Sequence, residues 1–165
     1  MNMTLSNRGD YVVRSAICLA KAWPAGSPVK LRELVADTQM PLSFASQIAG
    51  DLVKAGLATS KAGRDGGYRL ARPPREISVL EVVESAEGPL RAERCALNEG
   101  PCRWEAACPM HDTWMAATAA LRETLATTTL RHLAERDEEI AAGSYRPTDT
   151  HRHPPRPPAA RRERA

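Results

Sequence analysis

The sequence has few aromatic residues and no long hydrophobic run. Only seven of its 165 residues are aromatic, although 42% are hydrophobic. We therefore expect one domain of ordinary size, with a core built mainly from Leu, Val, Ile and Ala. No apolar run approaches the roughly 20 residues of a membrane-spanning helix, and no secretory leader opens the chain. These absences predict a cytoplasmic protein with no membrane partner, in a reducing compartment where thiolates can hold a metal.

The sequence also lacks the motifs of common enzymes. Gly66-Gly67 is followed neither by the Lys-Ser/Thr pair nor by the helix of a nucleotide-binding loop. No pairing of a nucleophile with a base is evident, and no set of polar residues is large enough to bind a substrate. The chain is therefore predicted not to be an enzyme.

Charge is unevenly distributed along the chain. The net charge is +3, but residues 43–75 carry six basic and two acidic residues, whereas residues 76–143 carry six arginines and thirteen acidic residues. The C-terminal 22 residues add six arginines against two acidic residues. A basic patch within an otherwise acidic fold is typical of a protein that binds nucleic acid.

The first half of the chain predicts a helix-turn-helix. Apolar residues recur at helical spacing over 11–23, after Thr4 or Ser6 as N-cap. A short helix over 29–36, a turn over 37–42 and a helix over 43–55 follow. Ser43 is the predicted N-cap of that third helix and Gly56 its C-cap. The alternative is an ordinary helical hairpin, but the basic patch and the next segment favour a DNA-reading motif.

Residues 57–71 predict two strands joined by a glycine-rich turn. A ribbon directly after the recognition helix is the wing of a winged helix, and basic residues near its tip can reach phosphates or the minor groove. The predicted DNA-binding residues of the helix and the wing are Ser43, Phe44, Ser46, Gln47, Lys54, Lys61 and Arg64.

Three of the four cysteines lie with a histidine in one short segment. Six residues separate Cys95 from Cys102, five separate Cys102 from Cys108, and His111 follows three residues later. Converging thiolates are soft ligands that favour zinc, copper(I) or iron–sulfur clusters. Cysteine pairs that bind zinc are typically separated by roughly two to four residues. The gaps here are wider, so an iron–sulfur cluster is predicted. Zinc, and cysteines without metal, are the alternatives; a disulfide framework is not expected. Cys18, in the first helix, is expected to be a small buried residue.

The second half of the chain predicts three further helical segments. Residues 77–87 form a helix closed by Gly88-Pro89, and residues 113–127 form a long helix with Trp114, Leu121 and Leu125 on one stripe. A shorter helical piece follows from Leu130. An apolar stripe on a long helix is typical of a dimer interface; packing within its own subunit is the alternative.

The predicted fold is mainly α with a small β-ribbon, in four parts. A winged helix-turn-helix DNA-binding domain spans 1–90, a cysteine-rich metal or cluster loop 91–112, the dimerisation helix with a C-terminal helix 113–142, and a disordered Pro/Arg/His-rich tail 143–165. This order resembles the Rrf-type winged-helix transcription regulators, an iron–sulfur cluster-binding family with IscR-like, NsrR-like and RirA-like members. The opening Met-Thr-Leu-Ser-Asn-Arg-Gly-Asp-Tyr and the Gly-Gly-Tyr wing also match, over about residues 3–136.

The resemblance implies roles for individual residues. It implies that Cys95, Cys102 and Cys108 are cluster thiolates, with either a 2Fe-2S or a 4Fe-4S cluster because the first cysteine gap is longer than is common. His111 falls where IscR-like members have a ligand histidine and is the predicted fourth ligand. Asp10 falls where NsrR-like members use a carboxylate that reaches across the dimer, and it is the alternative. The resemblance further implies that the 113–127 helix crosses that of a partner.

The function predicted from these features is DNA-binding transcriptional regulation. We expect a homodimeric repressor that binds a palindromic operator in double-stranded DNA and senses nitric oxide, redox stress or iron status through its cluster. Ala62 stands where many relatives carry a base-contacting arginine, and Ser46 where IscR-like members carry glutamate, so no operator sequence is implied. A zinc-stabilised winged-helix regulator and a non-DNA-binding iron–sulfur electron carrier are the alternative functions.

Overall fold

The described part of the chain is mostly helical and contains one two-stranded ribbon. The computed structural model describes residues 4–90, 104 and 108–146. Within these ranges the elements are, in order, α1 (Asn7–Ala22), α2 (Leu31–Thr38), α3 (Leu42–Lys54), β1 (Ala58–Lys61), β2 (Gly67–Leu70), a 3-10 turn (Pro74–Glu76), α4 (Val79–Glu87), α5 (His111–Thr127) and α6 (Leu130–Ala141). This order confirms the predicted winged helix-turn-helix followed by a long helix.

Helix α1 is the centre of the hydrophobic core. It contacts α2, α3, α4, α6 and β2, and its Val12, Ala16 and Leu19 are almost completely buried. Each fully buried Val or Leu side chain contributes roughly 1.5–3 kcal/mol to folding. Of the two predicted N-caps, Ser6 is the one that begins the helix, because its hydroxyl accepts a hydrogen bond from the Gly9 N–H at 3.1 Å.

Helices α2 and α3 form the helix-turn-helix. The turn contains Gln39, whose φ of +55° is the left-handed conformation that ends α2. Helix α3 ends in a Schellman motif: the Leu57 N–H donates to the Leu52 carbonyl and the Gly56 N–H to the Val53 carbonyl, both at 3.0 Å. Gly56 has a φ of +70° there, which explains the glycine after this helix.

Two predicted helix starts in this motif are wrong. Helix α2 begins at Leu31 rather than at residue 29, because Val29 pairs with Tyr68 of β2 through hydrogen bonds of 2.9 and 2.8 Å. Helix α3 begins at Leu42 with Pro41 as N-cap, so Ser43 lies inside the first turn and is not the cap. Proline is compatible with this place because the backbone N–H groups at a helix start have no partner within the helix.

The ribbon is a tight antiparallel hairpin with Ala58 paired to Leu70 and Lys61 paired to Gly67. Its two glycines are required by close backbone contacts. A Cβ atom on Gly66 would lie 2.1 Å from the Lys61 carbonyl oxygen, and one on Gly67 would lie 2.6 Å from the Val29 carbonyl oxygen. The Gly-Gly pair therefore shapes the wing and its junction with the 28–30 segment.

Helix α4 begins two residues later than predicted. Ser78 caps it, accepting a hydrogen bond from the Glu81 N–H at 3.2 Å, while Glu81 accepts one from the Ser78 N–H at 2.9 Å. This capping box fixes the start at Val79. Ile77 is fully buried outside the helix, and its carbonyl accepts a hydrogen bond from the Leu130 N–H at 2.9 Å.

Helix α5 has no buried residue among those the structure describes. It begins at His111, two residues before the predicted start, and ends at Thr127 as predicted. Thr129 caps α6, whose Leu130 and Ala134 are buried against α1 and the 3-10 turn. Helix α5 thus lies on the outside of the subunit, with α4 as its main neighbour.

Several predicted features lie outside the described residues. These are most of the cysteine-rich loop, including Cys95 and Cys102, and the tail beyond residue 146. Among the helices that the structure does describe, none combines the length and the apolar character needed to cross a bilayer.

Candidate nucleic-acid interface and metal ligands

One face of α3 is exposed and polar, and the opposite face is buried. Ala45, Ile48, Ala49 and Leu52 pack into the core and fix how the helix is oriented. The exposed side chains on the other side are those of Leu42, Ser43, Ser46, Gln47 and Lys54. Spacings of three and four residues place Ser43, Ser46 and Gln47 on one face. Their hydroxyl and amide groups can donate and accept hydrogen bonds, as contact with base edges requires.

Phe44 lies at the edge of this exposed face. The residue is 48% exposed, and its ring packs against Tyr11 of α1, with ring centroids 6.3 Å apart and planes tilted by 40°. Aromatic pairs in this geometry contribute roughly 0.5–1.5 kcal/mol beyond their buried area. Phe44, predicted to contact DNA, therefore also anchors α3 to α1.

The wing carries its predicted basic residues in exposed positions. Lys61 ends β1 and Arg64 lies in the turn that follows, and both side chains are exposed. With Lys54 at the end of α3, they place three cations on the helix-turn-helix and its wing. No ion pair is found for these three within the described part of the chain, so they are suited to bind phosphates.

Sequence reasoning missed an ion pair that joins α1 to α3. Arg8 Nε donates a hydrogen bond of 2.8 Å to Asp51 Oδ2, and the two residues are 43 positions apart. The Asp51 side chain is only 7% exposed. This hydrogen bond, and the charge of the carboxylate, raise the pKa of Arg8. The available signal was Asp51 itself, because an acid near the buried side of an amphipathic helix requires a partner.

Two of the four predicted cluster ligands are described, and both lie at the start of α5. The His111 N–H donates to the Cys108 carbonyl at 3.1 Å, so the two residues share one turn. Cys108 is a partly exposed free thiol and His111 is exposed. Their sulfur and imidazole nitrogen are suitable ligands for iron or zinc. Cys95 and Cys102 lie outside the described residues.

Cys18 does not belong to this set. It is 8% exposed within the core, which confirms its expected role as a small buried residue. Burial, followed by the influence of Asp37, raises the pKa of the Cys18 thiol to about 12. Cys18 is enclosed in the core and belongs to no group of three or more metal-holding side chains among the described residues.

Asp10, the alternative fourth ligand, lies on the first turn of α1. Its Oδ1 accepts a hydrogen bond of 2.8 Å from Arg14 Nε. No group of three or more His, Cys, Asp or Glu side chains that could hold a metal occurs within residues 4–90, 104 and 108–146. Within one subunit, the side chains of Asp10, Cys108 and His111 therefore do not form a common metal site.

The start of the cysteine-rich loop is attached to α5 by a small network. Glu84 of α4 accepts hydrogen bonds from the Leu90 N–H at 3.0 Å and from Arg122 at 2.6 Å. Arg122 also donates to the Leu90 carbonyl at 2.5 Å. The last described residue before the loop is thus tied to the middle of α5, and the loop returns to the start of the same helix at Cys108.

A capped helix-turn-helix with a polar exposed face, followed by a basic hairpin, defines a winged-helix DNA-binding protein. The chain belongs to the Rrf2 family, described as "Iron-dependent Transcriptional regulator", whose match spans residues 5–136. It is thus an HTH-type transcription regulator. The expectation that it is not an enzyme is confirmed, because its relatives are transcription regulators.

Individual relatives and solved structures agree with this family. A Mycobacterium tuberculosis protein assigned as an HTH-type transcriptional regulator is 35% identical over 92% of this chain and 96% of its own length. The regulator IscR of Xenorhabdus nematophila is 29% identical over 92% of each chain. The structure is similar to T. potens IscR, with a TM-score of 0.65 at 26% identity over 86% of this chain and 92% of the other. It is also similar to CymR, the global cysteine regulator of B. subtilis, with a TM-score of 0.66 at 28% identity over 81% and 98%.

Proposed function

We propose that the chain is a homodimeric repressor that binds a palindromic DNA operator and holds an iron–sulfur cluster through which it senses nitric oxide, redox stress or iron status. Its place of action is the cytoplasm. The observation that carries the proposal is that Cys108 and His111 share one turn, at the start of a helix that has no fully buried residue in its own subunit.

DNA reading is assigned to α3 and the wing. Helix α3 enters the major groove with Ser43, Ser46 and Gln47 towards base edges, because this face is exposed and polar. Lys54, Lys61 and the wing-tip Arg64 bind the sugar–phosphate backbone. Two subunits related by a twofold axis each present one α3 and one wing, so they require an operator with two matching half-sites.

The dimer is assigned to α5. This helix carries the half-buried stripe of Trp114, Leu121 and Leu125, yet has no fully buried residue. A 17-residue helix packed mainly on α4 leaves much of its surface available for the same helix of a second subunit. The dimerisation unit spans residues 113–142, between the loop over 91–112 and the tail.

The residues present fit an iron–sulfur cluster. Cys95, Cys102 and Cys108 supply three thiolates, and the fourth ligand is His111 or an Asp10 that a partner subunit delivers. Either a 2Fe-2S or a 4Fe-4S cluster is compatible with this set. A bound cluster would supply iron that nitric oxide and oxidants can attack and that iron shortage would deplete. Zinc held by three Cys and one His is the second candidate for the same ligands.

The chain connects this loop to the rest of the fold at both ends. Arg122 and Glu84 hold Leu90 at its start, and Cys108 leads directly into α5 at its end. A change in the order of the loop therefore acts first on α5 and α4, and α4 packs on α1. An order–disorder change of this type is a common basis of regulatory switching.

Replacing Cys102 with Ala tests the assignment. The variant is expected to lose iron and acid-labile sulfide and to change its operator affinity, while it stays a folded dimer by size-exclusion chromatography and circular dichroism. Cys18→Ala is the matched control, because it removes a cysteine from the core and should keep the metal. Retention of iron and sulfide by Cys102→Ala would contradict the proposal, and an unfolded Cys102→Ala chain would favour structural zinc.

A further inference from the structure

Helix α1 lies along one edge of the exposed face of α3. Asp51 follows Gln47 by one helical turn, so it lies close to the proposed base-reading residues. Phe44, at the same edge, packs against Tyr11, and Asp51 binds Arg8. The first turns of α1 therefore border the surface that faces DNA.

The Arg8 side chain is held in place but not covered. Its Nε donates to Asp51, whereas the side chain as a whole remains 46% exposed. A guanidinium has five N–H donors, so an Nε contact leaves the two terminal nitrogens able to bind a second acceptor. Since the buried carboxylate has already restricted the rotamers of Arg8, further contacts lose less conformational entropy than those of a free arginine.

Two carboxylates face this guanidinium, those of Asp51 and, less closely, Glu87. Glu87 Oε1 accepts hydrogen bonds from the Ser6 N–H at 2.9 Å and the Ser6 hydroxyl at 2.7 Å. Both acids therefore already accept hydrogen bonds from the first turns of α1. Asp51 holds Arg8 beside α3, and among the described residues no hydrogen-bond partner is found for its terminal N–H groups.

We infer that Arg8 is a DNA phosphate-binding residue, positioned by Asp51 of the recognition helix to contact the strand that borders the major groove. The inference rests on the proposed docking of α3 in that groove and is independent of the metal. Planar guanidinium groups bind phosphate oxygens in pairs of parallel hydrogen bonds. The Arg8–Asp51 ion pair thus links the orientation of α3 to the position of the DNA sugar–phosphate backbone.

The salt dependence of DNA binding tests this inference. Each phosphate contact contributes about 0.9 to the slope of log affinity against log salt concentration. The full chain, as purified, is titrated into a fluorescent mixed-sequence duplex at several salt concentrations. The double variant Arg8→Gln with Asp51→Asn replaces the ion pair by a neutral amide pair and leaves no buried charge unpaired. Its slope is expected to be smaller by about 0.9 per subunit.

The control is Arg131→Ala, which removes an exposed arginine whose Nε binds Glu135 on α6 at 2.7 Å. Its slope should equal that of the unaltered chain. If the double variant binds more weakly but keeps the full slope, Arg8 acts only by orienting α3 and the inference is wrong. Single Arg8→Lys, which keeps the charge, should retain the slope. Single Arg8→Gln should lower the slope as the double variant does and covers the case in which the double variant does not fold; an unchanged slope in Arg8→Gln would contradict the inference. Absence of salt-dependent binding by the unaltered chain would overturn the proposed function as well.

Discussion

Gln47 and Asp51 lie one turn apart on α3, and they differ in what their surroundings allow. Gln47 is exposed, so its amide oxygen and nitrogen can both form hydrogen bonds with an adenine edge. Asp51 is 7% exposed and already bound to Arg8, so it supports the helix from its edge. Base reading and helix positioning are therefore carried by neighbouring residues.

Gln47→Ala should selectively weaken specific binding. Loss of a bidentate base contact removes about 1–3 kcal/mol of discrimination, whereas binding to a mixed-sequence duplex depends on phosphate contacts and should not change. The measurement compares affinities for an operator obtained by in vitro selection and for that duplex at the same salt concentration. Equal losses on both duplexes would show that Gln47 does not read a base.

At the scale of the elements, apolar periodicity predicted which helices exist but not where they begin. Val29 and Ile77 are apolar and match the periodic pattern, yet both are buried in extended segments that pair with distant backbone. Such pairing has no local signal in the sequence. At α1 the local cap was anticipated, since Ser6 is one of the two predicted N-caps, whereas the capping box of Ser78 with Glu81 was missed.

The candidate site was predictable to a similar degree. Exposed positions on α3 and the wing follow from helical spacing and turn residues, so they could be anticipated. The need of Asp51 for a partner could be anticipated too, but not that the partner is Arg8, because the two residues are 43 positions apart. The Leu90–Glu84–Arg122 network was also missed, since it depends on how α5 packs on α4.

The turn between α2 and α3 contains strain that a substitution can remove. Gln39 adopts a φ of +55°, which disfavours residues with a Cβ atom by roughly 1–2 kcal/mol. Glycine relieves this strain, but it loses more backbone entropy on folding than alanine does. We therefore expect the free energy of unfolding of Gln39→Gly to exceed that of Gln39→Ala by about 1 kcal/mol. Urea unfolding monitored by circular dichroism gives both free energies. Equal stability of the two variants would mean that the turn does not require the left-handed conformation.

At the scale of the whole molecule, α1 connects the parts. Lys21 at its C-terminal end binds Asp37 of α2 at 3.2 Å and Asp137 of α6 at 2.7 Å. Arg8 at its N-terminal end binds Asp51 of the recognition helix, and Glu87 of α4 accepts a hydrogen bond from the Ser6 N–H nearby. A displacement of α4 by the cysteine-rich loop would thus reach α3 through the first turn of α1, which is the route we expect for regulation.

The central claim is that the cysteine-rich loop holds an iron–sulfur cluster, and metal analysis tests it most directly. The full chain is purified anaerobically, and its iron, acid-labile sulfide and zinc contents are measured together with a visible spectrum. We predict iron and sulfide in nearly equal amounts, with sulfide-to-iron absorption that nitric oxide or oxygen alters. A colourless protein that contains zinc alone would contradict the sensing mechanism, although its DNA-binding fold would stand.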